Sequence, residues 1–122
     1  MIGWLSVAVG GACGALLRFA LNGAIGTQHL FPWATLTINI AGSLAIGLVW
    51  GLYSQSEWFV AWGRLFLVVG VLGGFTTFSA FSLETLQFIE QGRVVPALVY
   101  ASASVIGCVT ACFVGARLGG AL

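Results

Sequence analysis

Gly73-Gly74-Phe75-Thr76-Thr77-Phe78-Ser79-Ala80-Phe81-Ser82 places two adjacent glycines, four hydroxyls and three phenylalanines inside a long apolar stretch. Each glycine weakens a helix by about 1 kcal/mol relative to alanine and frees the backbone from helical angles. The Thr and Ser side chains that follow can satisfy the backbone groups so released. In hydrocarbon, an unwound backbone survives only where protein buries it or where it lines a polar cavity. Broken helices of this kind bind ions in some transport proteins. The stretch therefore predicts a broken membrane helix built around an ion site.

The rest of the chain fits that setting. Of its 122 residues, 60% are hydrophobic and only 6% charged. A soluble domain carries roughly a quarter charged residues. Four segments are long enough to cross a bilayer, each needing about 20 apolar residues. They run approximately over 2–22, 33–53, 64–88 and 94–117, so residues 1–122 form a single four-span membrane domain. The connecting loops are too short to hold a soluble domain. The N-terminus lacks a basic region and runs straight into further apolar chain, which argues against a cleaved signal peptide. Cys13, Cys108 and Cys112 all fall within spans and read as small apolar fillers. Nucleotide-binding loops, nucleophile elbows, zinc spacings and basic nucleic-acid patches are absent from the sequence, so an enzyme and a nucleic-acid partner are not expected.

Charge placement bears on topology. The chain has four arginines and no lysine. Arg18 and Arg93 fall on one side of the membrane, Arg64 and Arg117 on the other, so the usual cytoplasmic excess of basic residues gives no orientation. Two readings follow: a weak signal in a short protein, or dual topology, in which one sequence inserts both ways and pairs antiparallel. Four short helices enclose little room for a polar path, which favours an oligomer. Small residues at four-residue spacing (Gly10 and Gly14, Gly47 and Gly51, Gly70 and Gly74, Gly107, Ala111 and Gly115) predict closely packed helices. Trp4, Trp33, Tyr53, Trp58 and Trp62 near span ends fit an interfacial belt, and His29 beside Gln28 reads as a solvated loop residue.

Polar residues align on two spans. Thr35, Asn39 and Ser43 share one face of the second, and Tyr100, Ser104 and Cys108 one face of the fourth. A lone Ser or Thr in a membrane commonly bonds its own helix. Asn39 needs outside partners, because its amide has more donors and acceptors than one helix can serve. Amide and hydroxyl donors, together with the positive edges of Phe rings, suit a small anion. Glu84 is the one acid inside a span and reads as an ion-pair or vestibule residue rather than a proton carrier.

Three motifs then resemble one family along nearly the whole chain. They are Gly10-Gly11-Ala12-Cys13-Gly14-Ala15-Leu16-Leu17-Arg18-Phe19, Thr35-Leu36-Thr37-Ile38-Asn39-Ile40-Ala41-Gly42, and Gly70-Val71-Leu72 running into the broken stretch, with Glu84 in its expected place. Their order and separation are similar to the Fluc fluoride channels, also called CrcB-like proteins. The resemblance implies an all-α, antiparallel, dual-topology homodimer in the cell (inner or plasma) membrane, with two pores for passive fluoride export and hence fluoride resistance. It implies pores lined by Asn39, by Phe78 and Phe81 of the two subunits, and by Tyr100, Ser104 and Cys108, beside the Thr35 stripe. It implies a structural sodium ion (Na+) at the dimer centre, held by the Gly73 and Thr76 carbonyls, and an arginine, Arg18, near the aqueous entrance. Cys108 departs from the serine common in the family. A proton-coupled exporter like the small multidrug resistance transporters would need a glutamate in the first span, where this chain has Gly14 and Arg18. A non-transporting assembly subunit would not need the stacked Asn, hydroxyl and Phe residues.

Overall fold

The computed structural model describes residues 1–26 and 30–121, so the readings of Gln28 and His29 lie outside the described residues. Among these the fold is entirely helical. Helix α1 covers Ile2–Ile25 and α2 covers Trp33–Tyr53. A π-helical segment, Phe59–Leu72, passes into one α-turn, α3 (Gly73–Phe75), and after two extended residues the chain resumes as α4 (Phe78–Glu90). Helix α5 spans Val94–Ala121. Four helical stretches, with Phe59–Glu90 counted as one, are long and apolar enough to cross a membrane.

The π winding is not announced by hydrophobic periodicity, since apolar residues occur on every face of this segment. Its signature lies in contacts five residues apart. The Gly73 N–H reaches the Val68 carbonyl, and the Trp58 ring packs over Gly63, where a β-carbon would collide with it. In a π-helix the fifth residue, rather than the fourth, stands over the first.

Two tightly packed helix pairs make the bundle: α1 with the π segment, and α2 with α5. Glycine allows both crossings. A β-carbon at Gly10 would come within 2.6 Å of the Phe66 carbonyl oxygen, and one at Gly14 would overlap the Val71 carbonyl. In the second pair, Gly47 and Gly51 press on the Cys112 and Ala116 carbonyls, while Gly115 and Gly119 press on those of Leu44 and Leu48. Lipid supplies no hydrophobic drive between helices, so close backbone approach and dispersion carry the association. Gly107 meets only the Ile40 side chain, while Gly119, one further step along the same four-residue series, joins the crossing.

The pairs meet at the helix break, where Gly42 of α2 leaves room for the Thr76 methyl and the Phe75 ring. At the opposite flank α4 folds back on α5 through a tight turn closed by Gly92 (φ +70) and by the Arg93 N–H donating to the Phe88 carbonyl at 2.8 Å. Leu36, Phe88, Ala97 and Tyr100 form a buried cluster there, with Phe31, Ile40, Phe81 and Ala103 against it. Most other large apolar side chains face outward, as a bilayer solvent requires.

Candidate functional site

The break is built by three residues. Thr76 (φ −83, ψ 157) and Thr77 (φ −149, ψ 113) are extended, so the helical ladder stops. Asn39, reaching from α2, takes over both backbone groups of Thr77: its Oδ1 accepts from the Thr77 N–H at 2.8 Å and its Nδ2 donates to the Thr77 carbonyl at 3.0 Å. The Thr77 hydroxyl then caps α4, accepting from the Ala80 N–H at 3.1 Å. These bonds redirect two donors. In a continuous helix the Thr77 N–H would serve the Gly73 carbonyl, and the Ala80 N–H the Thr76 carbonyl. Both oxygens lose that helical donor, and Gly73 is exposed on the subunit surface. Unpaired carbonyl oxygens are the ligands hard cations take. The donor chemistry at Gly73 and Thr76 therefore fits sodium.

Beside the break lies an open cleft of about 390 Å³. Asn39 and Ser43 line it from α2, Thr76, Thr77, Phe78 and Phe81 from the broken segment, and Ser104 and Cys108 from α5. The Phe78 and Phe81 rings lie 5.2 Å apart, and Phe81 lies 5.3 Å from Tyr100. Phe78 is 75% exposed although it sits mid-chain in a membrane span. Ser104 is buried, and its hydroxyl has no hydrogen-bond partner. One amide proton of Asn39 is held by Thr77 O, which leaves the second available to the cleft.

A second cavity, of about 470 Å³, opens at the other side of Tyr100. Thr35, Glu84, Gln87, Asn22 and Arg93 contribute its polar lining. The Glu84 carboxylate is clamped from two helices: Thr35 Oγ1 donates to Oε1 at 2.7 Å and the Tyr100 hydroxyl to Oε2 at 2.6 Å. Tyr100 is fully buried, with the Thr35 and Ser104 hydroxyls flanking its own. Thr35, Glu84 and Tyr100 thus form a polar junction between the two cavities. Among the described residues Arg93 pairs with no acid; it donates to the Leu30 carbonyl at 3.3 Å and stacks on Phe88 at 4.8 Å.

The structure thus gathers Asn39, Phe78, Phe81, Ser104 and Cys108 on one cleft with Gly73 and Thr76, and joins Thr35, Tyr100 and Glu84 at the next. Arg18, half-buried on α1, lines neither cavity and stands apart from Glu84. Hydroxyls bonded within their own helical segment account for Thr76 (to the Leu72 carbonyl, 2.9 Å) and Ser82 (to the Phe78 carbonyl, 2.9 Å). Thr77 is the residue that side-chain reasoning passed over, because its backbone rather than its hydroxyl meets Asn39. The signal for it was the unmet amide of Asn39, which called for a backbone partner at the break.

Comparison with known proteins shows the family. The family described as CrcB-like protein, camphor resistance, matches residues 5–116. A relative from Hyphomonas neptunium, the fluoride-specific ion channel FluC, is 50% identical over 119 residues, covering 94% of this chain and 93% of its own length. FluC from Thermus thermophilus is 48% identical over 123 residues, covering 98% and 94%. FluC from Novosphingobium aromaticivorans is 49% identical over 113 residues, with 89% of each chain covered. A match that runs through all four helices and both sides of the break makes this multi-pass membrane protein a member of the CrcB-like family.

Proposed function

We propose that the protein is a fluoride-selective channel that lets cytoplasmic fluoride leave passively across the cell membrane, the inner membrane where there are two. The observation that carries this reading is the cleft itself, which brings the Phe78 and Phe81 rings and a spare Asn39 amide proton together beside the buried Ser104. Amide donors and the positive edges of Phe rings suit a small anion. Relatives near half identity are named fluoride-specific ion channels, which supports fluoride as that anion.

Fluoride is small and strongly hydrated, so a pore has to replace its water with short, well-aimed donors while binding weakly enough to release it. Asn39 and Ser104 donate hydrogen bonds, and the Phe78 and Phe81 edges supply weak successive sites. Asn39 is rigid for this task because Thr77 holds its amide on two sides. Beyond Phe81 the ion meets the junction of Thr35, Tyr100 and Glu84, whose hydroxyls are donors already aimed at a negative charge.

One subunit leaves this path open along its side, with Phe78 and Gly73 exposed. A second copy closes it. The even split of arginines supports antiparallel pairing, and two equivalent clefts then give two pores. In that dimer the Gly73 and Thr76 carbonyls of both subunits would hold one sodium ion, which would supply a fixed positive charge there.

The deciding experiment is fluoride efflux from liposomes containing the purified protein, read with a fluoride electrode beside a chloride control. Rapid fluoride release without chloride release supports the channel. No release from assembled protein overturns it.

A further inference from the structure

Arg93 stands at the turn between α4 and α5, and among the described residues it and Glu84 are the two charged residues lining the cavity of about 470 Å³. Of the four arginines it alone lines either cavity. The two charges meet an incoming ion differently. Both Glu84 oxygens already accept hydroxyl protons, from Thr35 at 2.7 Å and from Tyr100 at 2.6 Å, so the carboxylate is capped. Arg93 is half-buried, lies over the Phe88 ring at 4.8 Å and gives one N–H to the Leu30 carbonyl at 3.3 Å. A guanidinium has five N–H donors and stays charged, so Arg93 keeps donors for the cavity. Depth also separates the two. Glu84 lies six residues before Glu90, where α4 ends, which at a rise of 1.5 Å per residue is about 9 Å below the Arg93 turn. An ion entering from that turn reaches the open cation before the capped acid.

We propose that Arg93 is the anion-capture residue of this protein: its guanidinium concentrates hydrated anions in the cavity ahead of the Tyr100 junction. That a captured ion then crosses rests on the fluoride reading above; the capture itself does not. Charge is the whole of the selection at this point. A water takes about 30 Å³ in the liquid, so the cavity admits an ion with its first shell in place, and that shell hides which halide it surrounds. The amides of Asn22 and Gln87 in the same wall can bond the shell. Low-dielectric walls focus the field of one cation into the cavity and raise the local anion concentration. The choice of fluoride falls to the donors beyond, which replace its water.

The test is fluoride efflux from proteoliposomes at limiting and at saturating fluoride, in dilute and in concentrated sodium gluconate. At about 0.01 M salt the Debye length is about 30 Å, and at about 1 M it is about 3 Å. Arg93→Met keeps an apolar stem on Phe88 and removes the charge. In dilute salt it should lower efflux at limiting fluoride roughly threefold to tenfold, with the saturated rate and the chloride control unchanged. In concentrated salt it should match the unaltered protein, and Arg93→Lys should match it in both. A second readout needs no transport. Trp33 lines the same cavity, so in dilute salt iodide should quench its fluorescence more in the unaltered protein than in Arg93→Met. Neutral acrylamide should quench both alike, and Trp33→Phe identifies the signal. Undiminished dilute-salt efflux in Arg93→Met, or iodide quenching that ignores Arg93, would each overturn the proposal. So would a loss that persists in concentrated salt or in Arg93→Lys, which would make Arg93 a brace for the Leu30 carbonyl instead. If the unaltered protein releases no fluoride, the channel reading fails separately, and iodide quenching still decides whether Arg93 captures anions.

Discussion

Asn39 does two jobs, and a substitution there tests both. Asn39→Ala leaves the Thr77 N–H and carbonyl without their partners, and each unmet buried group costs about 1–3 kcal/mol. The expected outcome is a lower melting temperature together with lost fluoride efflux. Ser104→Ala differs: its hydroxyl bonds nothing, so stability should stay within about 0.5 kcal/mol while efflux falls. That split between stability and flux marks a residue kept for the ion. Phe81→Ile should cut fluoride efflux strongly and leave assembly intact, since it keeps apolar bulk but removes the ring edge. Unchanged efflux in Phe81→Ile would remove the aromatic part of the mechanism.

At the scale of elements, the helix break is a joint held from outside. Thr77→Ala deletes the cap of α4 and should cost about 1 kcal/mol, read as a lower melting temperature in detergent. Gly14→Leu should do far more, because a side chain there has to displace the Val71 carbonyl. The prediction is loss of the folded species in size-exclusion chromatography. The sequence showed that the third span breaks in this stretch, but the expected place was wrong: Gly73 and Gly74 stay helical, and the extended residues are Thr76 and Thr77. It also showed the helix crossings through Gly10, Gly14, Gly47 and Gly51. Other features were hidden for definite reasons. The π winding of Phe59–Leu72 leaves no trace in a pattern that is apolar all round. The Thr35–Glu84–Tyr100 junction joins three helices, and side-chain spacing along one helix says nothing about its neighbours. The candidate cleft was legible as two polar stripes, yet the commitment of Asn39 to a backbone partner was not, since a stripe reports a face and not a contact.

At the scale of the whole molecule, the balance of charge can be tipped deliberately. Gln55→Lys with Glu57→Lys loads one end of the bundle, and Glu90→Lys with Gln91→Lys loads the other; all four positions are exposed. Either pair alone should force one orientation and lower efflux to near background, and co-expression of the two should restore it. Full efflux from either pair alone would rule out obligate antiparallel pairing. Exchanging sodium for N-methylglucamine on both sides should likewise reduce efflux if the freed carbonyls at Gly73 and Thr76 bind the ion. The π segment carries a consequence for how the gene tolerates change. Each of its turns closes one residue later than an α-turn, so the segment behaves like a screw cut with a coarser thread. Deleting a single codon between Phe59 and Leu72 would let it rewind locally as α-helix. One turn would simply close a residue earlier, so residues beyond the deletion would keep nearly their present direction around the axis, and Gly70 would still face Gly10. A deletion that would rotate everything downstream of an α-helix is, in this span, taken up by a single turn.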